Sequence, residues 1–242
     1  MELRKTSSSF PCMGTLIRIS VYSAKDPTEA MLGAKLRFEE LDARLSHYKP
    51  DSEINRLKPG LTTKVSSDLF AILTFAQRLS LLSGGAFDVT VRGNPVGYQN
   101  IALGRHTVTL LKEGMLLDLG GIAKGYANDQ ASKLLSARGI RRHLIAASGD
   151  VLARGKPGWR VGFQQTERVL EDRAVSTSGN TYQPGHILDP RSGQRVMSSE
   201  IVSVVARDSM TADALATTCL ILKGAERAAL LAAYAGAEVV SA

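Results

Sequence analysis

Cysteine is nearly absent: Cys12 and Cys219 are the only two in 242 residues, and they lie far apart. That leaves neither a disulfide framework nor a zinc-ligand spacing. Blocks of one charge are missing as well. Lys and Arg exceed Asp and Glu, 30 to 23, for a formal charge of +7, but no five basic residues stand together. A nucleic-acid arm is therefore not indicated, and the diffuse positive field is compatible with a phosphorylated, anionic substrate. No run of roughly 18 uncharged apolar residues occurs, so no membrane span is expected. Residues 1–10 are polar and carry no apolar signal core or cleavage site, so the expected compartment is cytoplasmic for the chain as given, and periplasmic if a leader precedes it. Low-complexity linkers and internal repeats are lacking too. The ordinary apolar content of 44% suffices for a full core in one large domain or two closely joined ones.

What is present is a mixture of two periodicities. Thr15, Ile17, Ile19 and Val21 alternate through residues 13–22 and predict a strand. After Pro27, the positions Met31, Ala34, Phe38, Leu41 and Leu45 recur at helical spacing. Residues 46–60 form a polar loop, and a second helix is expected over 67–83, stopped by Gly84-Gly85. Residues 93–104 read as an irregular connection. A hairpin is expected from 107–111 and 115–119 around Lys112-Glu113-Gly114. A helix follows to about Arg138, then strands at 143–147, 151–154, 159–163, 174–178 and 201–207, and two Ala/Leu-rich helices. Strands and helices mix without a regular βαβ alternation, which favours an α+β fold.

Four segments carry possible chemistry. Thr211 to Leu222 reads as an apolar helix in which Asp213 and Thr217, four residues apart, share one face. Two hard oxygen donors on a dry surface suit Mg²⁺ whose shell is completed by phosphate and water; the plain alternative is a solvated Asp near a helix start. Asp118-Leu-Gly-Gly-Ile-Ala-Lys-Gly-Tyr-Ala127 joins a strand end to a helix through a glycine pair. Such a junction presents backbone N–H groups and a positive helix end to an anion that Lys124 also reaches, or it is only a tight turn. In His186-Ile-Leu-Asp-Pro-Arg-Ser-Gly193 the imidazole is a candidate general base, while Asp189 can brace the turn instead. Gly84-Gly-Ala-Phe-Asp-Val-Thr90 combines close backbone approach with a ring at Phe87 and an acceptor at Asp88, or simply caps a helix.

In order along the chain, Met13-Gly-Thr15, Tyr48-Lys-Pro-Asp-Ser-Glu-Ile-Asn55, Gly84-Gly-Ala-Phe-Asp88, the 118–127 segment, Ser148-Gly-Asp150, Val175-Ser-Thr-Ser-Gly179, the 186–193 segment and Thr211-Ala-Asp-Ala-Leu-Ala-Thr217 resemble the ApbE family, the FAD:protein FMN transferases. The resemblance covers nearly the whole chain. It implies one α+β domain over residues 1–242, with antiparallel and mixed sheets, flanking helices and FAD in a deep cleft. It implies that Asp213 and Thr217 are side-chain Mg²⁺ ligands and that Gly121 supplies a backbone carbonyl. Met13, Tyr48, Ala86, Phe87, Asp88, Asp118, Lys124 and Ile187 fall where the family contacts FAD, and His186 matches its proposed base. The implied reaction moves FMN from FAD to a Thr or Ser hydroxyl of a client protein and releases AMP. Hydrolysis of FAD to FMN and AMP, and flavin binding without catalysis, stay open as alternatives. Two departures stand out. The 93–104 connection is short for the family, and Ser148-Gly-Asp150 replaces its usual Gly-Gly-Asp.

Overall fold

The computed structural model describes residues 2–93, 97–164, 166–180 and 185–240. The chain opens with an antiparallel hairpin of β1 (Arg4–Cys12) and β2 (Thr15–Ser23), followed by α1 (Thr28–Leu45). Met13 and Gly14 both take positive φ, 51° and 71°, as a two-residue type I′ turn requires. The short β3 (Thr63–Lys64) precedes α2 (Ser67–Leu82), and β4 (Arg92–Gly93), β5 (Ile101–Leu103), β6 (Thr107–Leu110) and β7 (Met115–Leu116) lead to α3 (Ala123–Ala137). There follow β8 (Arg142–Ala147), β9 (Asp150–Arg154), β10 (Trp159–Phe163), β11 (Thr166–Leu170), β12 (Arg173–Gly179), β13 (Leu188–Asp189), β14 (Gln194–Arg195), β15 (Ile201–Ala206), α4 (Ser209–Ile221), α5 (Gly224–Ala232) and β16 (Glu238–Val240).

Seven strands form the central sheet in the order β1-β2-β8-β9-β12-β15-β16, every pair antiparallel. Alternation sorts its side chains between two cores. Ile17, Ile19, Ile145, Ala174, Val202 and Val204 face the main core, which also holds the apolar faces of α1, α2, α3 and α4. Val175 and Val205 point the other way, onto Trp159, Phe163 and Leu170 of the β10–β11 hairpin. Both sheet faces are thus covered, which explains why β15 reads as an almost unbroken apolar run. Among the described residues no helix is long and apolar enough to cross a membrane.

The α+β expectation holds, and two local expectations do not. β6 does not pair with β7: β6 lies between β3 and β5, while β7 pairs with β4. Gly114, at φ 75°, supplies the expected turn, but a turn does not choose partners when other strands compete for the same edge. The connection at 93–104 contains β5 and a 3₁₀ turn at Tyr98–Asn100, with residues 94–96 outside those described. The polar N-terminal segment is a nine-residue edge strand; edge strands carry polar outward faces, which hid its period.

Candidate active site

Helices α3 and α4 meet at very short range, and the sequence permits it at one position. A Cβ on Gly125 would lie 2.3 Å from the Ser209 carbonyl oxygen and 2.8 Å from Asp213 Cβ, so only glycine fits. The Gly125 N–H donates to Asp213 Oδ2 at 2.9 Å. Asp213 is buried at 3% exposure, which removes the reading of a solvated helix-start acid; the N-cap of α4 is Asp208, whose carboxylate accepts from Thr211 N–H at 2.8 Å.

The glycine pair before α3 serves space rather than backbone conformation. Neither Gly120 nor Gly121 has positive φ. A Cβ on Gly120 would stand 3.0 Å from Asp118 Oδ1, and one on Gly121 would stand 3.1 Å from Thr217 Oγ1. The second contact puts the Gly121 backbone beside the Thr217 hydroxyl, one turn along α4 from Asp213. A carboxylate, a hydroxyl and a peptide segment thereby gather at the α3–α4 joint, all hard oxygen donors of the type Mg²⁺ takes. Ser178 Oγ lies 3.2 Å from Thr217 Oγ1. Among the described residues no group of three or more His, Cys, Asp or Glu is spaced to hold a metal, so any metal here would rely on hydroxyl, carbonyl and ligand oxygens as well.

Lys124 sits between two buried acids. Its Nζ is 3.5 Å from Asp150 Oδ2 and donates to the Gly120 carbonyl at 3.4 Å. Asp150, 3% exposed, also accepts from the Ser176 hydroxyl. The Asp150 and then the Asp213 charge hold the Lys124 ammonium well above its ordinary value. Burial, and next the Asp150 charge, push Asp213 up to about 7, with Lys124 opposing. Two carboxylates forced together in a dry place favour any additional cation.

A cleft of about 160 Å³ opens beside this joint, lined by Met13, Gly14, Tyr48, Leu119, Gly120 and Lys124 among others. The structure thus brings Met13, Tyr48 and Lys124 together as the sequence reading expected. Asp118 is bonded to the cleft's Gly120: its Oδ1 accepts from Gly120 N–H at 2.8 Å, and its own N–H donates to the Val89 carbonyl at 2.8 Å. That bond ties the 84–90 segment to the site. Within that segment Ala86 and Phe87 are buried. The Asp88 carboxylate is engaged inside its own loop, accepting from Thr90 and from Tyr98 N–H at 2.8 Å each. Ile187 is buried, while His186 beside it is exposed. The His186 loop touches the same region, since a Cβ on Gly85 would lie 3.8 Å from Arg191 Cγ. Asp189 braces that loop, accepting from Arg191 N–H at 3.0 Å and pairing with its guanidinium.

Three groups escaped the sequence reading. Asp150 was legible only as part of a motif, without its Lys124 partner. Ser176 lay inside the 175–179 segment, but an alternating strand hides which serine faces a charge. His47 stood next to Tyr48 in a polar loop, and only the tertiary structure sets it 3.3 Å from Asp118.

Comparison with known proteins gives this geometry a family. The chain is 28% identical to the FAD:protein FMN transferase of Treponema pallidum over 99% of this chain and 84% of that protein. It is 27% identical to that of Vibrio cholerae over 78% and 72%. Its fold matches the solved flavin transferase ApbE of Vibrio cholerae with a TM-score of 0.87 at 24% identity, covering 98% of this chain and 93% of that one. The solved ApbE protein of Thermotoga maritima matches equally, at 0.87 and 25%. The ApbE family profile matches residues 13–94 and 92–241, which include the turn at Met13, the α3–α4 joint and the His186 loop, and the chain belongs to the ApbE family.

Proposed function

We propose that this protein transfers FMN from FAD to a Thr or Ser hydroxyl of a client protein, with Mg²⁺ bound and AMP released. The observation that carries the reading is the α3–α4 joint: a buried Asp213, the Thr217 hydroxyl beside Gly121, and Lys124, all next to a cleft. The names of the relatives, FAD:protein FMN transferases, supply the substrate.

In the proposed step the acceptor oxygen forms a bond to the phosphorus on the FMN side of the pyrophosphate. The bond from that phosphorus to the bridging oxygen breaks, and AMP departs with that oxygen. His186 takes the proton of the acceptor hydroxyl, the task for which imidazole is suited near neutral pH. Lys124, fixed by Asp150 and Ser176, holds its positive charge toward the pyrophosphate. Met13, Tyr48, Asp118, Ile187 and the 86–88 segment shape the flavin site. Asp213, Thr217 and the Gly121 carbonyl would hold Mg²⁺, which when bound would offset charge on the pyrophosphate. The burial of Asp213 and Asp150 strengthens the electrostatic contacts that they make.

The test is to incubate the protein with FAD, Mg²⁺ and an acceptor protein carrying a Ser/Thr-Gly-Ala-Thr-like segment. The acceptor should gain the mass of FMN less water, with one AMP per transfer. FMN and AMP appearing at the same rate without acceptor would identify a hydrolase instead. Binding without turnover would leave only a flavin carrier.

A further inference from the structure

Tyr48 is a large aromatic side chain left 84% exposed, yet it is held in place. Its ring packs on His47, with centroids 4.0 Å apart and planes tilted by 43°. His47 is mostly enclosed, its side chain 14% exposed, and its backbone is tied down twice. Its carbonyl accepts from Asn55 Nδ2 at 2.9 Å and from Arg92 Nη1 at 3.3 Å. Asn55 also donates to the Lys49 carbonyl at 2.9 Å, which closes the loop around the pair. The His47 ring points its Nδ1 at Asp118 Oδ1, 3.3 Å away. That same oxygen accepts the Gly120 N–H at 2.8 Å. One carboxylate oxygen therefore joins an aromatic wall of the cleft to the turn that opens α3.

We propose that His47 is a positioning residue that fixes the Tyr48 ring as a ligand-facing wall and sets its distance from the Gly120–Lys124 turn. A dinucleotide would then be gripped at two points with a built-in spacing: a flat ring against Tyr48 and the pyrophosphate at the turn. An exposed ring gains by being covered with a flat apolar surface, and a pre-set ring loses little freedom on binding. This inference rests on the flavin reading above, and it assigns a role to a side chain that reading does not use.

The experiment measures affinity of the full chain for FAD, FMN, ADP and inorganic pyrophosphate by calorimetry, for the wild type, His47→Ala and His47→Phe. His47→Ala should weaken FAD about tenfold, the size of one aromatic contact, and leave pyrophosphate affinity unchanged. FMN, which carries the flavin ring placed at Tyr48, should share the loss, and ADP should not. His47→Phe keeps the packing and loses the Asp118 contact, so its FAD affinity should fall between the other two. Unchanged FAD binding in His47→Ala overturns the inference. So does an equal loss for all four ligands accompanied by a lower melting temperature, because that marks a merely structural residue. A wild-type protein that binds pyrophosphate but neither FAD, FMN nor ADP overturns the flavin reading itself, a result distinct from either of those.

Discussion

The two helices that meet at the candidate site differ in where the groups that hold their first turns come from. α4 is capped by Asp208, which accepts from Thr211 N–H, and is braced by Asp129 of α3, which accepts from Ser209 and Met210 N–H at 2.9 Å each. Burial pushes Asp129 up to about 6, with the two N–H bonds opposing. α3 follows Ile122, whose side chain gives no cap; the Ala123 N–H donates to the Leu119 carbonyl and the Gly125 N–H to Asp213 of α4, both at 2.9 Å. Its entry is the narrow Gly120–Gly121 turn at the cleft, and Lys124 in its first turn donates to the Gly120 carbonyl. The N–H groups opening α4 are held by Asp208 and Asp129, whereas the α3 start has no cap from its own N-cap residue and takes one carboxylate from the facing helix, that of Asp213. Helix starts beside a cleft are where phosphate groups are held in many proteins.

Mutation can break this comparison in decreasing steps. The largest effect should come from outside both helices. His186→Ala should slow transfer by about 10²–10⁴-fold while FAD binding at the α3 end persists, measured by acceptor mass and by calorimetry. Near wild-type transfer would end the base assignment, and Asp150 would be examined next. On the α4 side of the joint, Asp213→Ala should lower Mg²⁺-dependent turnover by about 10²–10³-fold, with Thr217→Val losing less because its hydroxyl is neutral. If Asp213 merely holds Gly125, the variant would melt earlier and keep its turnover per folded molecule.

The far end of α3 offers a pH test. Buried His143 bonds Ser132 of α3 through Nε2 at 2.8 Å and the Ile140 carbonyl through Nδ1 at 3.0 Å. Burial lowers it from 6.5 to about 4, so the fold favours the neutral ring. The His143 contribution to stability should be complete above pH 6.5 and be lost as pH falls through 4, about 3 kcal/mol in all, with the raised Asp129 and Asp213 acting in the opposite direction. Urea melts at both pH values should show the wild type losing stability relative to His143→Asn between pH 6.5 and 4. Gly125→Ala should force α3 and α4 apart at a cost of about 1–3 kcal/mol and reduce turnover, since it moves both sides of the site. The smallest effect belongs to Asp208→Ala: about 1 kcal/mol of stability from the lost cap, with kcat unchanged. A large fall in kcat there would show that the α4 start also serves the reaction.

Parts of this were legible early. Helical spacing at Met31, Ala34, Phe38, Leu41 and Leu45 located α1, and all five are buried. Asp213 and Thr217 were readable as neighbours because a helix repeats its face every three to four residues. The β10–β11 hairpin was only half legible: Trp159, Val161 and Phe163 alternate plainly, whereas Thr166–Leu170 is mostly exposed and polar, so its strand showed no apolar period.

The sequence by itself determined the local periods, the glycine turns and the i, i+4 pair, since each depends on covalent geometry and near neighbours. Tertiary structure decided which strands pair, and it set Lys124 against Asp150, Gly125 against Asp213 and His47 against Asp118. These partners are separated by between 26 and 88 residues. A residue's identity does not encode such a distance. It is fixed only when the sheet and helices close on a shared core and leave one arrangement in which the buried charges find partners.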